Sequence, residues 1–122
     1  MKRDIDLVRQ ILTDMEDAPP MEVHTGFHYD GYDTATVNEH IELLIEAGLL
    51  EGKVARSNSR SVANVTRLTW AGHDFIQSMV DESIWKKAKE QILKPGVSWT
   101  FELLSEWAKH EAKQRLGIPD NG

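Results

Sequence analysis

Apolar residues recur along the start of the chain with a helical beat. Ile5, Val8, Leu12 and Met15 are spaced by three, four and three, and Leu7 and Ile11 widen the stripe. The spacing predicts an amphipathic helix from about Arg3 to Glu16. Pro19-Pro20 ends it, because proline has no amide hydrogen to donate and restricts the residue before it. The beat then shortens. Val23, Thr25, Phe27 and Tyr29 alternate with Glu22, His24, Gly26 and His28, which predicts a strand within Met21–Asp33 with one buried face. Asp30-Gly31 is a turn signal. With Asp33 or Thr34 as its cap, a second helix is predicted from Thr34 to Ala47 on the face Val37, Ile41, Leu44 and Ile45, ended by Gly48.

Two further extended segments follow, Leu50–Arg56 and Ser61–Thr69, and the polar loop Ser57-Asn58-Ser59-Arg60 between them closes a hairpin. On the second strand Val62, Asn64 and Thr66 share one face, and Ala63, Val65, Arg67 and Thr69 the other. From Thr69 the longer period returns through Phe75, Ile76, Met79, Val80, Ile84, Ala88 and Ile92. This predicts a long helix to about Leu93 with a break near Asp81-Glu82-Ser83, ended by Pro95-Gly96. Ser98 or Thr100 caps a last helix with Leu103, Leu104, Trp107 and Ala108 on one side, stopped by Gly117 and Pro119. The order is helix, strand, helix, hairpin, helix, helix. It predicts an α+β, winged-helix-like domain over residues 1–122, with the hairpin as the wing. Two C-terminal helices within residues 70–116 complete the core or form a dimer interface.

Two phrases carry a resemblance. His40-Ile41-Glu42-Leu43-Leu44-Ile45-Glu46-Ala47-Gly48-Leu49-Leu50 resembles the end of a recognition helix entering the first wing strand. Arg67-Leu68-Thr69-Trp70-Ala71-Gly72-His73 resembles the second wing strand leading into the next helix, where the glycine lets the helix start lie close to the sheet. With the opening Met1-Lys2-Arg3-Asp4-Ile5-Asp6-Leu7-Val8-Arg9 and the pair Ile84-Trp85, the chain is similar over nearly its whole length to a family of bacterial and phage proteins, domain of unknown function 2513. The resemblance implies a small winged-helix-like protein and brings no established activity or site. One departure stands out. A complete helix-turn-helix has a helix before the recognition helix, and here that space, Pro19 to Asp33, reads as strand and turn.

Composition narrows the chemistry. The 122 residues suffice for one core, and the absence of cysteine excludes disulfides, thiolate catalysis and zinc fingers. No apolar run approaches the roughly 18 residues of a membrane span. The acid-containing start is unlike a signal peptide, so a cytoplasmic location and no membrane partner are expected. No Gly-rich phosphate loop or G-x-S-x-G elbow is present, and the chain is expected not to be an enzyme and to need no cofactor.

The net charge of −6 is unevenly spread. Residues 1–48 hold three basic and 11 acidic residues, a net −8, and residues 70–122 hold seven basic and eight acidic, a net −1. The hairpin, residues 49–69, sets Lys53, Arg56, Arg60 and Arg67 against Glu51 alone, a net +3. That makes it the candidate contact for double-stranded DNA, because basic side chains on a wing reach phosphates. Basic residues on edge strands also serve simply to prevent aggregation. On the preceding helix Thr36 and Asn38 are candidate base readers, for a thymine methyl and an adenine. Glu39, Glu42 and Glu46 form one stripe on the same helix and oppose a duplex, which predicts weak DNA binding and leaves a protein-interaction adaptor as the alternative. Trp99, Leu103 and Trp107 are candidate interface residues for a partner or a homodimer, since tryptophan concentrates at both cores and interfaces. His24, His28, Asp30 and His40 are possible metal ligands by type, but strand residues four apart lie about 13 Å from each other, so no metal site is expected.

Overall fold

The structure is a computed structural model that describes residues 1–117. It divides into two compact units, Met1–His73 and Asp74–Gly122.

The first unit opens with α1, Ile5–Asp17. Its face of Leu7, Val8, Ile11, Leu12 and Met15 is buried, as the spacing predicts. Asp4 caps it, accepting the amide hydrogens of Asp6 and Leu7 at 3.1 Å each. The same carboxylate accepts the Tyr32 hydroxyl at 2.7 Å. Burial pushes the Asp4 carboxyl up, but the Tyr32 and amide hydrogen bonds outweigh it and hold the group below its ordinary value. The sign of the pH effect follows. With a folded value below the unfolded one, the cap contributes fully above the unfolded value of about 3.9 and is lost as pH falls through the lowered folded value. Asp4→Ala is therefore expected to cost about 1 kcal/mol near neutral pH. In urea titrations the gap between wild type and variant should shrink only in acid.

The strand expected within Met21–Asp33 does not form. It is reduced to one bridge, His24 with Val65, and Val23 on the supposed inner face is 62% exposed. The reason is local: Met21, Gly26 and Gly31 have φ of +63°, +70° and +86°, and left-handed residues interrupt an extended run. Tyr29 still finds a role, donating its hydroxyl to Asp14 at 2.7 Å.

α2, Thr34–Glu46, starts at Asp33, which accepts the Thr36 amide hydrogen at 2.7 Å. It ends in a Schellman arrangement. Gly48, at φ +83°, donates to the Ile45 carbonyl, and Leu49 donates to that of Leu44. Val37, Ile41 and Leu44 are buried as expected. So are two polar residues, Asn38 and His40.

The chain enters the hairpin at once. β1, Leu50–Ser57, pairs antiparallel with β2, Arg60–Leu68, from Leu50 opposite Leu68 to Ser57 opposite Arg60. The turn is Asn58-Ser59, with Asn58 at φ +48°. A bulge lies between Glu51 and Gly52: Gly52 pairs with Val65 while Glu51 pairs with Arg67, so Thr66 is the extra residue. The extra residue reverses the alternation. Ala63 and Val65 share a buried face, but Leu68 is buried next and Arg67 is exposed, against the sequence-based placement of Arg67 on the same face as Ala63 and Val65. The helix, hairpin, helix order is compatible with a winged-helix-like arrangement. Among the described residues no helix lies between α1 and α2, as the departure from a helix-turn-helix predicts.

α3, Trp70–Ser78, begins in the first unit and ends in the second. The long helix predicted to Leu93 is divided at its expected break, where Asp81 caps a separate helix, α4, Glu82–Gln91, by accepting the Ser83 and Ile84 amide hydrogens. α5, Phe101–Arg115, is capped by Thr100. Three helices thus follow the hairpin where two were expected. Of the stripe on α5, Leu104 and Ala108 are buried, Trp107 is half-buried and Leu103 is 61% exposed. Trp99 is half-buried and meets Phe101 edge to face at 5.2 Å, and Phe101 meets Phe75 in the same way at 4.9 Å. Gly117 follows α5 at φ +72°, the conformation of a helix-ending glycine, and Pro119 lies outside the described residues.

Candidate nucleic-acid interface

α2 and the wing bring together most of the residues singled out for DNA. Arg56, on β1, does not point its guanidinium into open solvent. Its Nη2 donates to Glu39 Oε2 at 2.9 Å and to Glu42 Oε2, and its Nη1 donates to Glu42 Oε1 at 3.2 Å. One arginine is thus forked onto one carboxylate and shared with a second. Such bidentate pairs are among the stronger surface interactions, though salt screens them. The glutamates form a stripe with offsets of three and four, but two of the three turn toward β1 instead of lining an open face.

Arg67 is engaged in the same way. Its Nε and Nη2 donate to the two oxygens of Glu51 at 2.9 and 2.7 Å, and its Nη1 donates to the Leu68 carbonyl at 3.2 Å. Asn38 is buried, and its amide nitrogen donates inward to Ser61, to the carbonyl at 3.1 Å and to Oγ at 2.9 Å. The amide that would read adenine is spent fastening α2 to β2. Thr36 is half-buried, with its amide hydrogen on Asp33 and its carbonyl on the His40 ring. Lys53 and Arg60 have no acidic partner among the described residues. Arg60 lines a cleft of about 220 Å³ together with Asn38 and Ser61, while Lys53 lies on β1 outside that cleft. Of four basic wing residues, two are therefore available to phosphate without first breaking an ion pair.

The remaining candidates fall elsewhere. The three histidines proposed by type as metal ligands do not converge. His24 Nε2 donates to the Pro19 carbonyl, exposed His28 lies 3.7 Å from Asp30, and His40 is on the buried face of α2. Among the described residues no group of three His, Cys, Asp or Glu is placed to hold a metal ion. Trp99, Leu103 and Trp107 belong to the second unit, and of these three only Leu103 is largely exposed. Among the described residues no helix is long and apolar enough to cross a membrane.

Sequence reasoning weighed His40 only as a metal ligand by type and missed its structural role. Its Nε2 accepts the Asp4 amide hydrogen at 2.8 Å and its Nδ1 donates to the Thr36 carbonyl at 2.8 Å, so the ring is the Nδ1–H tautomer joining the start of α1 to α2. The one available signal was its place in α2, one residue from Ile41 on the buried stripe.

Comparison with known proteins adds kinship. A family model described as "Hypothetical protein (DUF2513)" matches residues 2–98. A protein of Haemophilus influenzae named "Uncharacterized protein" is 30% identical over 120 residues, which cover 95% of this chain and 99% of that protein. No solved structure matches. The helices and hairpin described above thus lie largely within the matched region, and the chain belongs to the DUF2513 family.

Proposed function

We propose that this chain is a small non-catalytic adaptor that keeps a helix-and-wing framework and works by binding protein. The observation that carries the reading is the capture of Arg56 by Glu39 and Glu42. A duplex approaching this face would have to take Arg56 from two carboxylates that themselves repel phosphate. With Asn38 turned inward as well, the helix lacks both the charge and the base-reading group of a recognition helix.

A regulator that touches nucleic acid through the wing is the second reading, favoured by Lys53 and Arg60. Two phosphate contacts give a salt slope of log K near −2 per subunit, which is too shallow for more than weak, non-specific association.

Fluorescence anisotropy with mixed-sequence duplex at about 50 mM salt separates the two readings. The adaptor reading expects no binding at tens of micromolar protein. It further expects the double variant Glu39→Gln/Glu42→Gln to gain detectable, salt-sensitive binding, because Arg56 is released and two negative charges are removed. Wild-type binding with a slope clearly steeper than about −2 overturns the adaptor reading.

A further inference from the structure

A groove of about 640 Å³ opens where α1 ends. Met15 and Leu68 lie at its base, and Pro19, Pro20, Met21 and Val23 form one wall. On that wall Met21 is 99% and Val23 62% exposed. Contiguous apolar surface of this kind on a concave site marks a place of contact, unlike single apolar residues scattered over a surface. The wall is braced. His24 exchanges both backbone hydrogen bonds with Val65, at 2.8 and 3.0 Å, and its ring Nε2 donates to the Pro19 carbonyl at 3.1 Å. Within that brace Met21 is held at φ +63°, an unfavourable conformation for a residue with a side chain, and is directed into solvent. A fixed wall lowers the ordering cost of binding, and methionine adapts to the shape of what it meets.

The net charge around the groove is negative. Glu16, Glu22 and Glu51 border it, and the single arginine there, Arg67, is already forked onto Glu51. Glu16 Oε2 is buried with no hydrogen-bond partner, and His73 Nδ1, at 3.9 Å, is too distant to supply one. The last turn of α1 carries no basic residue, so the negative end of its dipole adds to the same field.

We infer that this groove receives a segment of another protein in which apolar side chains are flanked by lysine or arginine. The apolar residues cover Met15, Met21 and Val23, and the cations meet Glu16, Glu22 and the end of α1. The proposal rests on the adaptor reading and names its partner's chemistry. Nucleic acid is the wrong occupant because Glu16 and Glu22 repel phosphate, and the one arginine at the rim is held by Glu51. A second copy of this chain is the competing occupant.

The probe is a labelled amphipathic peptide of leucine and lysine, about 15 residues long so that it can form a helix. A leucine–glutamate peptide and a lysine–serine peptide serve as comparisons, all titrated against the full chain by anisotropy. The leucine–lysine peptide is expected to bind in the micromolar range, and to weaken at least about tenfold at high salt. The other two are expected not to bind. Met21→Ser/Val23→Ser and, separately, Glu22→Lys should each lower the affinity about tenfold or more. All three positions are exposed, so the melting temperature should stay within about a degree or two of wild type.

Failure of the leucine–lysine peptide to bind, or equal binding to wild type and both variants, overturns the proposal. So does a wild-type dimer by light scattering that Met21→Ser/Val23→Ser dissolves, since the occupant is then a second copy. If the peptide fails while duplex also fails to bind, only the groove assignment falls. If the peptide fails and duplex binds steeply, the adaptor reading falls with it.

Discussion

Replacing His40 with alanine is expected to destabilise the protein by roughly 3–5 kcal/mol, a large share of the ~5–15 kcal/mol of a typical domain. His40 is 1% exposed, so truncation leaves a cavity in the middle of the first unit. It also removes two hydrogen bonds. The Asp4 amide hydrogen loses its acceptor, at a cost of about 1–3 kcal/mol where water cannot replace it, and the Thr36 carbonyl loses its ring donor while keeping its place in the helix ladder. The loss spreads, because Asp4 is the cap of α1 and the acceptor of Tyr32. Urea unfolding of wild type and variant measures the loss, and a value below about 1 kcal/mol is incompatible with the two hydrogen bonds. Nitrogen chemical shifts of the ring check the tautomer independently: a protonated Nδ1 and a bare Nε2 are expected.

His40 also illustrates what could be read in advance. The apolar stripes of α1 and α2 and the alternation of the hairpin survive folding because each depends only on its own period. The segment from Met21 to Asp33 shows the same alternation and yet is not a strand. Its glycines at 26 and 31 were the visible warning, since both adopt positive φ. Met21 gave none, because a left-handed methionine has no sequence signature. The inward turn of Leu68 in place of Arg67 depends on a bulge, and its one trace in the sequence is Gly52 inside a strand. A side chain there would place its Cβ 2.2 Å from the Asn64 carbonyl oxygen.

The interface was legible as charge and illegible as pairing. The excess of basic residues on the hairpin is real, but an excess does not say which charges are already spent. Arg56 lies 17 residues from Glu39 and 14 from Glu42 in sequence, and only the packing of α2 on β1 brings them into contact. Asn38 had the residue type of a base reader, while its position one residue after Val37 and three before Ile41 put it at the margin of the buried face. The groove at the end of α1 was hidden for a different reason. Met21 and Val23 on its wall fall in the segment read as a strand with a buried face, and the failure of that strand is what exposes them.

Gly72→Ala is the other change expected to have a large effect. α3 starts against the end of the hairpin so closely that a Cβ on Gly72 would lie 2.2 Å from the Leu49 carbonyl oxygen and 3.0 Å from a methyl of Leu68. The first of these neighbours is backbone and cannot swing aside. It is also in use, accepting the Thr69 amide hydrogen at 3.0 Å. Thr69 in turn ties the junction twice more, donating its hydroxyl to the Gly48 carbonyl at 2.6 Å and accepting the Gly72 amide hydrogen at 3.1 Å. Making room by about 1 Å therefore strains the end of α2, the last rung of the hairpin and the cap of α3 together. Overpacking of this kind costs about 1–3 kcal/mol, and the threatened hydrogen bond and cap add about 1 kcal/mol each. Alanine returns roughly 1 kcal/mol through its higher helix propensity, so the net loss is expected to be about 2–4 kcal/mol. For a chain of this size that lowers the melting temperature by on the order of 10 °C. Thermal unfolding followed by circular dichroism measures it, with Gln77→Ala on the exposed side of the same helix as the control, expected to change stability by no more than about half a kcal/mol. If Gly72→Ala melts with the control, the helix start does not rest on the Leu49 carbonyl and the close junction of α3 with the hairpin is wrong.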